Sequence, residues 1–453
     1  MDVLDRFVAQ NPTSKRLYEE GCRYLPSGST RNVLTYPPFP VYMARGLGSR
    51  LWDVDGNERI DFNYNNTTLI LGHNHPKVVK AIRDQLDKGT VLGAPTEGEV
   101  KLAEELTHRL GADKLRFTPS GTEANLQAVR LARSSTGRDL VAKCEGAYHG
   151  SWDSMDVSVS PPVEKAGPAN VPYTLKQHEG IPQGVLDNIL VLPFNDADAC
   201  QSLIKGHRNE LAAVILEPVQ RDTPPKPGFL ETIREATASY GIPLIFDEVI
   251  SFRLSPGGAQ RLYGVKPDIT TMGKIIGGGF PVGSYASTDE LVKPLMIPDS
   301  TFPELKSARL GFSGTFNAHP ITLAAGLAVM KELTSTVYKR LSDAGEKMRR
   351  GLASIIKGEG LGYRVGGVGS FFHINWTGED VVDYRSSVNE DRVLSRCFSL
   401  EMMNRGIYLW SHPNVSVATS TEDMDGTLVT IEEGLRALRP LIKERTKQHR
   451  PKN

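Results

Sequence analysis

The chain has 453 residues, with 53 Lys and Arg balanced by 53 Asp and Glu. That length allows two or three domains that bury a core without a disulfide or metal staple. The balance leaves no global field to draw the chain to nucleic acid or an acidic membrane, so a small-molecule partner is expected.

The N-terminal stretch MDVLDRFVAQNPTSKRL mixes acids and bases without a secretory apolar run, and no later stretch approaches the roughly 20 apolar residues of a membrane span. Cys22, Cys144, Cys200 and Cys397 are scattered without a CxxC pair, as free thiols in a reducing compartment are. A cytoplasmic location is expected, with neither nucleic acid nor membrane as partner.

Residues 1–70 carry RLWDVDGNERIDF, a hairpin with an Asp-Gly turn, expected to pack with a small domain or a partner chain. Residues 71–325 form the expected large domain. From Leu102 to Gly283, amphipathic helices alternate with short apolar runs such as AAVILEP and PLIFDEV, which predicts parallel strands crossed over by helices. Ser158 to Gln183, rich in Pro, Gly and charge, reads as a surface loop. The stretch Pro320 to Leu333 is apolar nearly all round, which predicts a buried helix that connects the domains. Residues 326–453 form a smaller α+β domain, with an amphipathic helix near Lys339 to Ile356 and strands at FFHINW and GIYLW. The fold class is α/β.

Three features of the large domain carry chemistry. In FTPSGTEAN a strand meets the turn Ser120, Gly121, Thr122 and a helix begins, so unpaired amides and the positive dipole end suit a phosphate. An ordinary N-cap explains the same residues. PLIFDEV delivers Asp247 and Glu248 at a strand's C-terminal end, where open α/β sheets place their ligand crevice. That carboxylate suits a cationic ring nitrogen or a metal. A nucleotide triphosphatase would also need GxxxxGK[ST], and TTMGKIIGGG lacks both the earlier Gly and the following hydroxyl. Lys274 stands between apolar residues, where burial lowers an amine's pKa and suits Schiff-base chemistry, although a lysine snorkelling from a strand end has the same neighbours. In this order the three describe a pyridoxal-phosphate site, and Asp247 with Lys274 argues against a non-enzymatic regulator that merely keeps the fold.

The motifs SGTEAN, EGAYHG, LEPVQ, FDEV, GKIIGGGFPVG and SGTFNAHP resemble the class III aminotransferases in kind and order. The resemblance implies fold type I, a large domain with a mostly parallel sheet sandwiched by helices and a smaller α+β domain. It implies Lys274 as the residue that holds the cofactor and moves a proton, and Asp247 as the partner of the pyridinium nitrogen. Ser120, Gly121 and Thr122 would hold the phosphate, Tyr148 would stack on the ring with His149 beside it, and Val249 would pack the other face. Glu217 and Gln220 would line the ring's oxygen side, although Arg221 stands where the family often has Gly. Thr315 would reach the phosphate of a neighbouring subunit, which implies a homodimer with shared sites; a tight turn ahead of the helix is the simpler reading of SGTF.

PSGSTRNVL and GGAQRLYGVKPDITTMGKIIGGGFPVGSY are similar to glutamate-1-semialdehyde aminomutases and to enzymes acting on β-amino acids. Aminomutases usually carry DEVxxGFR and TLSGNP, and a glutamate near the position of Trp410, Ser411 and His412. This chain reads DEVISFR and SGTFNAHP and lacks that glutamate, departures that resemble the β-phenylalanine aminotransferases. The expectation is ping-pong amino transfer from a β-amino acid or related amine to a 2-oxo acid. The alternatives are a glutamate-1-semialdehyde 2,1-aminomutase-type isomerase and an amine:pyruvate (omega) transaminase. Arg31 would bind the donor's carboxylate through its planar fork, or else tie the N-terminal segment to the large domain. Tyr36, Phe39 and Tyr42 could wall an apolar pocket nearby, although aromatic residues among prolines are as often plain packing.

Overall fold

The computed structural model describes residues 2–296 and 310–448; residues 297–309 of the expected large domain and 449–453 of the expected small domain lie outside them. The chain divides into two compact units, one of Met1–His75, Leu341–Asp380 and Asn389–Asn453, the other of Pro76–Arg340 and Val381–Val388.

The second unit is built on a seven-stranded sheet: β1 (Lys114–Thr118), β2 (Leu140–Cys144), β3 (Ile189–Leu192), β4 (Leu211–Leu216), β5 (Leu244–Asp247), β6 (Ile269–Gly273) and β7 (Gly283–Ser287). Their spatial order is β1-β7-β6-β5-β4-β2-β3. From β6 through β3 the pairs are parallel, and β7 runs antiparallel to both β1 and β6. Every residue of β4 and β5 is buried, which is why these strands read as unbroken apolar runs rather than alternating ones. Leu216 and Phe246 pack on one face with Phe229 and Ile233 of the helix Phe229–Ser239. Their neighbours Ile215 and Ile245 point to the other face, against Ala128, Val129 and Ala132 of helix α1 (Gly121–Thr136). Helices therefore cover both faces, as expected for the α/β class.

The buried helix is observed at Pro320–Glu332, packed on the helices Pro76–Leu86 and Glu97–Leu110 and on the turn Lys274–Gly277. Its Gly326 lies so close to that turn that a Cβ would stand 2.0 Å from the Ile276 carbonyl oxygen. Burial of Ile321, Leu323, Val329 and Met330 contributes about 1.5–3 kcal/mol each, which holds the helix against the turn. The segment from Ser158 to Gln183 departs from a simple surface loop. Ser158, Val159, Ala166 and Ile181 are buried, and the Arg385 guanidinium donates to the carbonyls of Ala166, Gly167 and Pro168. Pro and Gly content marks irregular backbone but not its exposure.

In the first unit Arg50–Asp53 and Glu58–Asp61 form the expected hairpin, with Gly56 at φ +86 in the turn. Met43–Leu47 pairs outside it and Ile407–Tyr408, from GIYLW, adds in parallel to Glu58–Asp61. His373–Asn375, from FFHINW, pairs with Arg364–Gly366, and the amphipathic helix, whose first turns belong to the second unit, runs longer than expected, over Ser335–Gly358. Of the two readings of Tyr36 and Phe39, pocket wall or plain packing, the structure shows packing. They are each 3% exposed and pack with Phe7, Leu400 and Trp410, because a ring gains more by burial in this cluster than at a wet surface. Tyr42 spends its hydroxyl on the Gly28 carbonyl, at 2.9 Å.

Candidate active site

The start of one strand and the C-terminal ends of four others converge in the second unit. Gly283, the first residue of β7, lies opposite both Thr118 of β1 and Gly273 of β6, so the turn at Ser120 and the turn at Lys274 flank one point of the sheet. A Cβ on Gly283 would fall 2.0 Å from the Ser120 carbonyl oxygen, so only glycine permits that approach. One strand over, β5 ends in Asp247, and β4 is followed by Glu217.

Val249 ties three of these elements together. A Cβ on Gly121 would lie 2.9 Å from its Cγ2, and a Cβ on Gly273 would lie 3.3 Å from its Cγ1. Its side chain is therefore bracketed by the start of helix α1 and by the residue before Lys274. Lys274 begins the turn at φ +50, a left-handed conformation that an L-residue adopts at a cost when the surroundings impose it. Here those surroundings are β6 before it and the helix Pro320–Glu332 behind it.

Asp247 is 4% exposed and engaged through both of its oxygens. Its Oδ2 accepts from Asn125 Nδ2 at 2.7 Å and from His149 Nδ1 at 2.9 Å, and its Oδ1 accepts from the Val249 amide at 3.0 Å. Asn125 is held in turn by Thr271, whose hydroxyl donates to its Oδ1 at 2.5 Å. A carboxylate only accepts, so Nδ1 of His149 carries the proton and a neutral ring leaves Nε2 as an acceptor. Burial pushes the His149 pKa down against the pull of Asp247, which favours that neutral ring. Burial and the negative charge of Asp247 push the Glu217 carboxyl up to about 8, with Arg221 and Lys274 opposing. Glu217 therefore carries its proton through most of the neutral range and can donate a hydrogen bond.

The other expected residues are placed as follows. Ser120 is the N-cap of helix α1, its hydroxyl accepting from the Glu123 amide at 3.1 Å, while Gly121 and Thr122 open the helix with amides that have no intrahelical acceptor. Gln220 is buried and donates to the Glu145 carbonyl at 2.8 Å. Tyr148 is 46% exposed, with its hydroxyl 3.1 Å from Ser151 Oγ. Thr315 is exposed in the turn ahead of Pro320. Arg31 belongs to the first unit, is exposed, and donates to Asn65 Oδ1 at 2.7 Å.

Glu248, the second acid of FDEV, turns away from this constellation. It accepts from Ser251 Oγ and from the amides of Ala259 and Gln260, capping the helix Gly258–Tyr263. Asn125 and Thr271 were not singled out from the sequence. Asn125 stands inside SGTEAN, and a buried amide on an otherwise apolar helix face was the available signal.

The residues present fit pyridoxal phosphate. Three buried polar atoms, His149 Nε2, Glu217 Oε2 and Gln220 Oε1, have no hydrogen-bond partner within the protein. Such atoms are costly unless a polar ligand meets them. A helix N-terminus for a phosphate, a buried carboxylate for a ring nitrogen and a primary amine for an aldehyde complete the donor set. Among the described residues no cluster of His, Cys, Asp and Glu suits a metal ion, and no helix is long and apolar enough to cross a membrane.

Comparison with known proteins gives the same picture. The family model "Aminotransferase class-III" matches residues 33–418. A glutamate-1-semialdehyde 2,1-aminomutase of Methanothermobacter thermautotrophicus is 38% identical over 435 residues, 94% of this chain and 99% of the relative. Among solved structures, an omega-transaminase from Sphaerobacter thermophilus superposes with a TM-score of 0.89 at 40% identity, covering 95% of this chain and 99% of that one. A β-phenylalanine aminotransferase from Variovorax paradoxus follows at 0.86 and 31%, covering 97% of each chain.

Proposed function

Since the chain belongs to the class III aminotransferases and is a pyridoxal-phosphate-dependent enzyme, we propose that it moves an amino group between two separate small substrates, in an omega-transaminase type of reaction with a 2-oxo acid as acceptor. The observation that carries the reading is the convergence of Lys274, Asp247 and the start of helix α1 around Val249. A β-amino acid as donor is the narrower form of the reading. It is supported by the likeness to the β-phenylalanine aminotransferase, and Arg31 is its candidate for the donor's carboxylate.

Bound pyridoxal phosphate supplies an electron sink for charge developing at the substrate's reacting carbon. In this reading the Lys274 amine holds the cofactor and afterwards moves the proton at that carbon. Asp247 pairs with the ring nitrogen and keeps it protonated, and Asn125 and His149 aim its carboxylate. The amides of Gly121 and Thr122, capped by Ser120, receive the phosphate. Tyr148 and Val249 take the two ring faces, while Glu217 and Gln220 meet the ring oxygen. Thr315 reaches the phosphate of a second subunit, so the working species is a homodimer that loses cofactor and activity together on dilution.

A second reading, the aminomutase, is favoured by the name of the curated relatives, which match nearly the whole chain. On those names it is better supported than the β-amino acid donor. DEVISFR, SGTFNAHP and the missing glutamate near Trp410 to His412 speak for free exchange of substrates instead.

The test is a set of half-reactions followed by the visible absorbance of the bound cofactor, with 3-amino acids, α-amino acids, simple amines and glutamate-1-semialdehyde as donors. Two-substrate transfer bleaches the absorbance and releases one carbonyl product per site without an acceptor. Turnover of glutamate-1-semialdehyde to its isomer with no released carbonyl establishes the aminomutase. Arg31→Ala with unchanged affinity for 3-amino acids removes the β-amino acid form.

A further inference from the structure

Arg221 follows the LEPVQ strand end at φ +62, a backbone region that favours glycine. It occupies the position where the resembling family often has glycine. Its guanidinium is spent on main chain: Nη2 donates to the Gly146 carbonyl at 3.1 Å and to the Val159 carbonyl at 3.4 Å. Those carbonyls are the two ends of one loop, whose neck is also closed by the Gly146 amide donating to the Ser158 carbonyl at 2.9 Å.

The interior of the same loop is wound around a buried amine. Lys143 of β2 is fully buried, and its Nζ donates to the carbonyls of Ala147, at 2.9 Å, of Met155, at 3.2 Å, and of Val157. Three carbonyls match the three donors of its ammonium form, although burial pushes the pKa down to about 7. The loop's far side meets the site. His149 bonds Asp247, and a Cβ on Gly150 would stand 2.5 Å from Thr122 Oγ1. One short loop therefore joins the neck to the partner of Asp247 and to the start of helix α1.

We propose that Arg221 is a positioning residue that closes the 146–159 loop at its neck and so sets the placement of Tyr148 and His149 against the cofactor site. The inference rests on reading Lys274, Asp247 and the start of helix α1 as that site. The side chain offsets a backbone conformation that arginine otherwise avoids. Its charge also acts on Glu217, opposing the rise that burial imposes there.

Arg221→Gly separates this role from stability, because it removes the tether while placing the residue best suited to the backbone. Arg221→Asn, which also tolerates positive φ, is the second variant. In the cofactor-loaded protein, amide exchange across 147–157 is expected to rise about tenfold or more while exchange in β4 and β5 stays unchanged. The thermal midpoint stays within about 3 °C of the parent. The visible circular dichroism of the bound cofactor changes, and the half-saturating donor concentration rises more than the limiting half-reaction rate falls. Unchanged exchange across 147–157 in either folded variant overturns the proposal, as does loss of the fold in both. The exchange comparison is repeated without cofactor, so a chain that takes up no cofactor defeats the functional reading and leaves this one standing or falling by itself.

Discussion

Asn125 and Asp247 lie 122 positions apart in the chain, yet the amide Nδ2 of one donates to the carboxylate Oδ2 of the other at 2.7 Å. The same amide also donates to the His149 carbonyl at 3.2 Å, so one side chain orients both the carboxylate and the histidine that shares it. Asn125→Ala is expected to leave Lys274 able to take the cofactor while slowing the donor half-reaction about tenfold to a hundredfold, by freeing Asp247 to rotate. Stopped-flow bleaching of the bound cofactor measures it. A variant with the parent's rate would show that Val249 and His149 suffice.

Asp247→Asn removes the charge and retains the shape. The half-reaction should fall by on the order of a thousandfold, because a neutral amide cannot keep the ring nitrogen protonated. Cofactor absorbance and the rate are read together; retained activity would mean that this carboxylate is structural.

Lys274→Ala should abolish borohydride fixation of the cofactor and lower the rate by roughly a hundredfold to ten-thousandfold, the range spanned by loss of a general acid–base. Peptide mapping of the reduced parent protein should find the cofactor on Lys274, and recovery on another lysine would relocate the site.

Glu217 gives a pH prediction with a definite sign. Its folded pKa, pushed up to about 8, lies above the ordinary carboxylate value of 4.5, so the folded state holds a proton that the unfolded state releases between those values. This contribution to stability is fully present below pH 4.5 and is lost as pH rises through 8. Glu217→Gln stays neutral throughout. In cofactor-free protein its denaturation midpoint should fall less than the parent's between pH 5 and about 8.5. Parallel curves for the two proteins would refute a raised pKa.

Gly326→Ala sets two effects against each other. Alanine in a helix interior usually gains about 1 kcal/mol over glycine. Here the added Cβ would stand 2.0 Å from the Ile276 carbonyl oxygen, and relieving that overlap by moving the helix or the Lys274 turn costs about 1–3 kcal/mol. The overlap should win, so the thermal midpoint drops and cofactor is retained less well. A variant of raised stability would show that the helix can slide freely.

Much of this protein is legible in order along the chain, because its chemistry is local to strand ends. A run such as PLIFDEV states that a strand is buried on both faces and ends in a carboxylate, and SGTEAN states where a helix starts. Those signals need only a few neighbouring residues, and they sufficed for the α/β class, the mostly parallel sheet and pyridoxal phosphate. What only the tertiary structure decided depends on which distant groups meet. Hydrophobic periodicity does not say that Asn125 reaches Asp247 or that Glu248 turns to cap the next helix. Nor does it say that Tyr36 and Phe39 enter a core instead of a pocket, because any buried surface rewards an aromatic ring alike. Arg221 shows the limit most clearly: in sequence it is a departure from a motif, and its partners at Gly146 and Val159 exist only once β2 and β4 lie side by side.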